Sequence, residues 1–336
     1  MPSRESGGTS ARRTVSLIIP VRNEAEHIER CLESVRSQTY PAELIEVIVV
    51  DGDSTDETRA IVRRVADHDP RIRLLDNPKR SGPHGLNIGL AAATGRYIGY
   101  IVGHSRIPPD YVLRVTETLE QTGAWCVGVR IVRIASTPMQ RAIAVATASR
   151  IGVGDSRHNY SGHAGWAETA FPGFWPREVF DRVGPIDPAM VANEDNELSH
   201  RIRRAGGGVW YEPSIGVVYV PRASLGALFD QYRRYALGKV LVMRKHRGGL
   251  RWRHLIPPAW VAFLSGGVAV SVLWPPFVWA WLTGIATYVA AVAIASIRLQ
   301  MASGVGWHLI AAALATLHAA YGLGVWQGIL GWRRRW

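Results

Sequence analysis

The sequence predicts an α/β domain with a mostly parallel sheet, followed by an amphipathic interface segment and two to three transmembrane helices. Three observations carry this. Short apolar runs alternate with helical segments through the first half of the chain, the pattern of strands covered on both faces and joined by crossover helices. From Leu255 to Ile297 no residue is charged, room for two helices of the about 20 residues that a bilayer crossing needs. Charge is also divided along the chain. Of 39 Lys and Arg, 12 lie in 231–336, which holds no Asp or Glu, and the first 230 residues balance 27 basic against 27 acidic.

These counts exclude several classes. With 47% apolar and 20% charged residues among 336, the chain is not a disordered polar one. The net charge of +12 sits entirely beside the apolar tail, which points to a membrane surface and argues against nucleic acid. Two cysteines, Cys31 and Cys126, make no disulfide framework and read as core residues of a reduced compartment.

Each element follows in order. Residues 1–13 are polar, rich in Ser, Gly and Arg, and read as a disordered tail without a signal peptide. Val15–Pro20 is a buried strand. Asn23 with Glu26 has capping-box spacing and opens a helix to about Gln38. Leu44–Val50 is a second strand, and Ser54 with Glu57 opens a second helix to about Ala66. Ile72–Leu75 and Tyr97–Val102 are strands; Pro83–Ala93 and Pro108–Leu119 are helices. The domain occupies 14–222. An amphipathic basic segment at 223–254 carries Leu225, Leu228, Phe229, Tyr232, Tyr235, Ala236, Val240 and Met243 at helical spacing.

The region 255–332 holds the membrane helices, near 255–274, 276–297 and 305–328. The first two are split at Trp274-Pro275-Pro276, and Trp residues cluster near the proposed ends. Arg244, Lys245, Arg247, Arg251 and Arg253 precede the first span, so that side, with the N-terminal domain, is cytoplasmic. Arg298 returns to the same side after two spans. A third full span would put Arg333, Arg334 and Arg335 outside, against the charge rule, so either the third segment is re-entrant or interfacial, or the rule fails here.

Ligands of parallel α/β sheets bind beyond the carboxyl ends of the strands. Those positions are Pro20–Glu24, Asp51–Asp56, Asp76–Lys79 and Gly103–Arg106. Asp53, Ser54 and Asp56 suffice to cap the second helix. Asp51 is spare from that cap and is the better ligand-binding candidate.

The motifs are Ser16-Leu17-Ile18-Ile19-Pro20-Val21-Arg22-Asn23-Glu24, Val50-Asp51-Gly52-Asp53-Ser54-Thr55-Asp56, Asn77-Pro78-Lys79-Arg80, Leu86-Asn87-Ile88-Gly89, Gly103-His104, Pro108-Pro109-Asp110-Tyr111, Asn193-Glu194-Asp195-Asn196-Glu197-Leu198 and Gln231-Tyr232-Arg233-Arg234-Tyr235. In this order they resemble a family 2 glycosyltransferase of GT-A fold, Rossmann-like, and are similar to exopolysaccharide glycosyltransferases of the succinoglycan type. The resemblance covers about residues 14–246.

It implies transfer of a sugar from a nucleotide-diphosphate donor to a saccharide or lipid-linked acceptor, with inversion, at a cell membrane. By the same resemblance Asp195 is the base. Pro20, Arg22, Glu24, Asp51, Asp53, Lys79 and Gly103 bind the donor. Glu194, Gln231, Arg234 and Tyr235 serve the diphosphate and acceptor, with Tyr235 in place of the family's Trp. Arg80, His84, and His158, His163 and Glu168 of the Gly-rich 152–166 loop are further candidates. The family usually holds a divalent cation, Mn²⁺ or Mg²⁺, with an Asp where Val102 stands. Val102 cannot ligate it, so either His104 and the donor phosphates hold the cation, or the enzyme works without one. Two other readings are a processive polysaccharide synthase, and an inactive scaffold in a polysaccharide assembly complex.

Overall fold

The computed structural model describes residues 13–154, 161–190, 192–246 and 252–331. The expected disordered tail, apart from Arg13, and His158 lie outside the described residues, as do Arg247, Arg251 and Arg333 to Arg335. The chain forms two compact units, Met1–Val132 with Ser161–Tyr219, and Arg133–Tyr160 with Val220–Trp336.

The first unit holds strands β1 (Val15–Val21), β2 (Ile45–Asp51), β3 (Ile72–Asp76), β4 (Tyr97–Tyr100), β5 (Ser105–Arg106), β6 (Cys126–Arg133), β7 (Gly165–Trp166), β8 (Phe174–Pro176) and β9 (Val209–Tyr219). They form one sheet in the order β3-β2-β1-β4-β8-β6-β9-β5, with β7 on β9. β3, β2, β1 and β4 are parallel neighbours. β8 pairs antiparallel with β4 and β6, and β9 antiparallel with β5 and β7. The helices are α1 (Ile28–Arg36), α2 (Thr58–Ala66), α3 (Gly82–Ala92) and α4 (Tyr111–Thr122), then, beyond two in the other unit, α7 (Glu178–Val183) and α8 (Glu194–Arg204).

Alternation along β1 explains the layers. Val15, Leu17, Ile19 and Val21 point into a core with Ile28, Cys31, Leu32 and Val35 of α1 and Tyr111, Val112 and Val115 of α4. Ile18 points the other way, to a core with Leu86 of α3 and Leu198 and Ile202 of α8. A strand apolar at every position is one buried on both faces. Cys31 and Cys126 are free and buried, and burial pushes the Cys31 thiol up to about 12, so it is inert at neutral pH.

Two expected helix starts are corrected. α1 begins at Ile28 and α2 at Thr58, with no side-chain cap at His27 or Glu57. Asn23 and Ser54 are diverted instead to bond with each other's loops. The Asn23 amide donates to Ser54 Oγ at 2.9 Å, and Asn23 Oδ1 accepts from the Thr55 amide at 2.9 Å. Cross-loop bonds thus replace the local caps.

Strand order runs outward from β1 to β3, then returns to β4 on β1's other side. The crevice of a parallel sheet opens at such a reversal, beyond the carboxyl ends of the two strands. Pairing of β1 with β4 ends at Ile18 opposite Tyr100, two residues before Pro20, whose nitrogen has no proton to donate.

The second unit contains α5 (Pro138–Thr147), α6 (Arg150–Val153), α9 (Leu225–Lys245), α10 (Ile256–Leu273), α11 (Phe277–Ser303) and α12 (Trp307–Ile329). Residues 133–160, expected inside a continuous 14–222 domain, therefore group with the C-terminal helices. The reason is the apolar face of α5. Its Ala142, Ile143 and Ala146 share a core with Leu228 of α9 and Ile310, Leu314 and Leu317 of α12. α10, α11 and α12 are each long and apolar enough to cross a membrane. α11 continues six residues past the expected end at Ile297, so Arg298 lies within a helix and not in a connection.

Candidate active site

Among the described residues, four other than glycine have positive φ: Asn23 at 55°, Asp53 at 58°, Arg80 at 57° and Asn193 at 62°. The first three follow β1, β2 and β3 in turn, and Asn193 immediately precedes α8. Left-handed backbone is uncommon outside glycine, and such strain gathers where a loop must hold a ligand. All four lie in motifs that the sequence singles out.

Asp51 ends β2 and is completely buried. Its Oδ1 accepts from Ser54 Oγ at 2.6 Å, and its Oδ2 accepts from the Ser54 amide at 3.1 Å and Arg59 Nη1 at 2.8 Å. The sequence treats Asp51 as spare from this turn. In the structure Asp51 itself holds the turn, and Asp56 bonds the Thr58 amide at 3.1 Å. Arg59 also reaches Asp76 Oδ1 at 2.6 Å and so ties the ends of β2 and β3 together. Asp53 is exposed and ion-paired with Arg80. Arg22 and Lys79 are exposed at the same edge. Ser81 caps α3 and bonds His84 Nδ1 at 2.7 Å.

Glu24 and His104 meet across the β1–β4 reversal. Glu24 Oε1 lies 2.8 Å from His104 Nδ1, and the two side chains are 20% and 15% exposed. A carboxylate oxygen accepts, so Nδ1 carries a proton, and Nε2 makes no hydrogen bond among the described residues. The Tyr219 ring packs edge-on against the imidazole at 4.9 Å. Gly103 permits the approach, because a Cβ there would come within 2.8 Å of Val21 Cγ1. The Val102 carbonyl accepts from the Ser105 amide at 2.9 Å and from Ser105 Oγ at 2.7 Å. No cluster of three His, Cys, Asp or Glu suited to a metal occurs among the described residues. The donor set fits a cation only as a single imidazole held by a carboxylate, the usual second support of a metal-binding histidine.

Glu194 and Asp195 open α8, with Asn193 at the left-handed N-cap. Burial pushes both carboxyls up, and for Glu194 the neighbouring Asp195 charge adds to it. Both keep partial solvent access. Thr169 Oγ1 donates to Asp195 Oδ2 at 3.4 Å. Glu197, by contrast, is fully buried and grips Arg201, which bonds the carbonyls of Gly184 and Pro185 at 3.1 and 2.8 Å. It is structural.

Gln231, Arg234 and Tyr235 belong to the second unit, on α9. Gln231 Nε2 donates to the Tyr235 hydroxyl at 3.0 Å, as the four-residue spacing allows. Arg233 is the buried arginine of the pair, bonded to Gln327 Oε1 at 3.3 Å and Asp230 Oδ1 at 3.4 Å. Arg234 makes no hydrogen bond or ion pair among the described residues.

Sequence reasoning missed Thr169, Arg59 and Tyr219. Arg59 left a signal: a cation in a helix's first turn is disfavoured by the dipole unless carboxylates hold it. Thr169 and Tyr219 left none, since only the fold brings them to Asp195 and His104.

Residues 16–169 match the family described as glycosyl transferase family 2. The chain is 35% identical over 324 residues, 95% of its length and 96% of the relative's, to the succinoglycan biosynthesis protein ExoA of Rhizobium meliloti (strain 1021). It is 25% identical, over 85% of its own length and 87% of the relative's, to a dolichyl N-acetyl-alpha-D-glucosaminyl phosphate 3-beta-D-2,3-diacetamido-2,3-dideoxy-beta-D-glucuronosyltransferase of Methanococcus voltae. The mannosyltransferase PcManGT of Pyrobaculum calidifontis, solved with GDP-Man and Mn²⁺, superposes at a TM-score of 0.65 and 21% identity. That likeness covers 95% of this chain and 88% of that one and shows the GT-A fold.

Proposed function

Because the chain belongs to glycosyl transferase family 2, we propose that it moves one sugar, with inversion, from a nucleotide-diphosphate sugar to a polyprenyl-linked acceptor at the cytoplasmic face of a membrane. The observation that carries this is the Glu194–Asp195 pair, two carboxyls pushed up by burial at the start of one helix. Paired carboxyls with raised proton affinity suit a base that must take a hydroxyl proton near neutral pH. Asp195 takes the proton of the acceptor hydroxyl. Its oxygen then attacks the anomeric carbon from the side opposite the diphosphate, the bond to the diphosphate breaks, and configuration inverts. Thr169 orients Asp195, whose charge in turn raises the neighbouring Glu194 carboxyl.

The exposed Arg22, Asp53 and Lys79 face the donor, while Pro20 and Gly103 give it close backbone approach. Asp51 shapes the loop that receives it. On the second unit, Gln231 and Arg234 serve the diphosphate and Tyr235 the acceptor sugar; this assignment rests on the motif. The guanidinium of arginine pairs well with phosphate oxygens. His104 Nε2 is the protein ligand for a divalent cation, with Glu24 fixing the ring. Such a cation, when bound, supplies positive charge against the departing diphosphate. The names of the Rhizobium and Methanococcus relatives support a product in exopolysaccharide or glycolipid synthesis.

The test uses the purified full-length protein in liposomes with a panel of nucleotide sugars and polyprenyl-phosphate-linked sugars, with Mn²⁺, with Mg²⁺ and with chelator. Transfer to a lipid-linked acceptor is the expected result. Folded protein that binds no nucleotide sugar under any of these conditions would sink the reading.

A further inference from the structure

The second unit contains three apolar helices, and length alone makes each a span. Their packing separates them. The membrane-length window of α12 is 44% buried by the protein itself, against 11% for α10 and 6% for α11. What buries α12 is chiefly α9. A Cβ on Gly324 would come within 2.6 Å of the Arg233 carbonyl and 2.7 Å of Ala236 Cβ, and one on Gly328 within 2.9 Å of Val240 Cβ. Arg244 Nη2 donates to the Ile329 carbonyl at 2.9 Å. Toward the other end, Leu228 of α9 shares a core with Leu314 and Leu317 of α12. The two helices therefore lie side by side and run the same way from about Leu228 to Arg244.

That pairing decides where α12 sits. α9 carries Asp230, Arg233, Arg234, Lys239, Arg244 and Lys245 in 21 residues. Each charge at the centre of a bilayer costs about 2.5–3.5 kcal/mol or more. α9 cannot cross, so a helix bound along its length cannot cross either.

An independent marker agrees. A third span antiparallel to α11 would carry its C-terminal half toward the α10–α11 turn at Trp274. The C-terminal half of α12 lies instead at the first turn of α10. Trp326 Nε1 donates to the Pro258 carbonyl at 2.8 Å, and a Cβ on Gly322 would come within 2.5 Å of the Pro257 carbonyl. α10 and α11 do form a hairpin, with Trp281 Nε1 donating to the Phe263 carbonyl at 3.2 Å. The 27 residues of α11 span about 40 Å at 1.5 Å each, beyond the about 30 Å of hydrocarbon, so its last turns, with Arg298, emerge on the side where α10 begins.

We infer that only α10 and α11 cross the membrane, and that α9 and α12 lie together as one platform on the leaflet where α10 begins. This rests on membrane anchoring by α10 and α11. The partner of the platform is the bilayer surface itself, with anionic headgroups. Basic residues and no acid follow Asp230, and juxtamembrane Lys and Arg are drawn to anionic lipid.

Single cysteines test this in a Cys31→Ser, Cys126→Ser background of the full chain. Leu273→Cys reports the α10–α11 turn, Met301→Cys the end of α11, and Leu330→Cys the end of α12; all three native side chains are well exposed. A membrane-impermeant maleimide is applied to intact cells and to inverted vesicles. The expected result is labelling of Leu273→Cys in cells only, and of Met301→Cys and Leu330→Cys in inverted vesicles only. Leu330→Cys labelled from the same side as Leu273→Cys would make α12 a third span and overturn the inference. Loss of all three to the soluble fraction at alkaline pH would instead overturn the anchoring on which it rests. Should the serine background fail to fold, cysteine-to-alanine replacements serve the same purpose.

Discussion

Asp195 is where residue-scale chemistry concentrates. Asp195→Asn should cut turnover at least ~10²-fold with donor affinity kept, because a base acts in the transition state; single-turnover transfer and nucleotide titration separate the two. Near-normal turnover would remove it from that role. The pH limb follows from the raised carboxyls. The base works deprotonated, so turnover should rise with pH through a midpoint above the ordinary carboxylate range. Asp195→Asn should also lower the proton affinity of Glu194 by removing that neighbouring charge, read by titration of the Glu194 carboxyl. Stability has the opposite sign. A carboxyl raised on folding binds its proton more tightly in the native state, so its contribution is present below the raised value and lost as pH climbs through it. Melting curves of Glu194→Gln should therefore gain on wild type toward high pH. Asp51 differs in kind. With both oxygens engaged in the buried turn, Asp51→Ala should cost about 1–3 kcal/mol of stability, read as a lower denaturation midpoint in ligand-free protein; an unchanged midpoint would contradict the turn's dependence on it.

Elements show how far sequence carries and where it stops. The first four strands were legible because apolar runs are local signals, whereas none of β5 to β9 was expected. The starts of α1 and α2 were not, since Asn23 and Ser54 satisfy the capping spacing yet bond across two loops. No local pattern distinguishes those outcomes. The candidate residues at strand ends come from the same local reading and those of α8 from the family resemblance, whereas the Glu24–His104 contact spans 80 residues and needed the fold. The grouping of α5 with the C-terminal helices needed the fold, because an apolar helix face does not name its partner. The glycines of α12 make the partner testable. Gly324→Val would drive a side chain into the Arg233 carbonyl, and overpacking costs about 1–3 kcal/mol. Thermal unfolding in detergent should fall accordingly. Gly266→Val on α10 meets nothing within 4 Å and should leave the transition in place; equal effects of the two would mean that α9 and α12 do not pack this way.

For the whole molecule, the consequence of anchoring is kinetic. In the proposed arrangement α10 and α11 would confine the enzyme to a layer a few nanometres thick, and a polyprenyl-linked acceptor would be confined to the same layer. Both then meet at an effective concentration set by surface density and not by bulk volume, the logic that governs any tethered pair. A water-soluble donor escapes this and follows its bulk concentration. In liposomes carrying the full-length protein, dilution of the lipid-linked acceptor with inert phospholipid at constant bulk acceptor should lower the rate in proportion to its mole fraction. Dilution of the whole suspension at constant donor and constant mole fraction should leave the rate per enzyme unchanged. A short-chain soluble analogue of the acceptor should show the reverse dependence and a far higher KM, because it must find the enzyme from solution. A rate that tracked bulk acceptor alone, whatever its mole fraction, would mean that the acceptor arrives from water and that the membrane helices serve only to locate the enzyme.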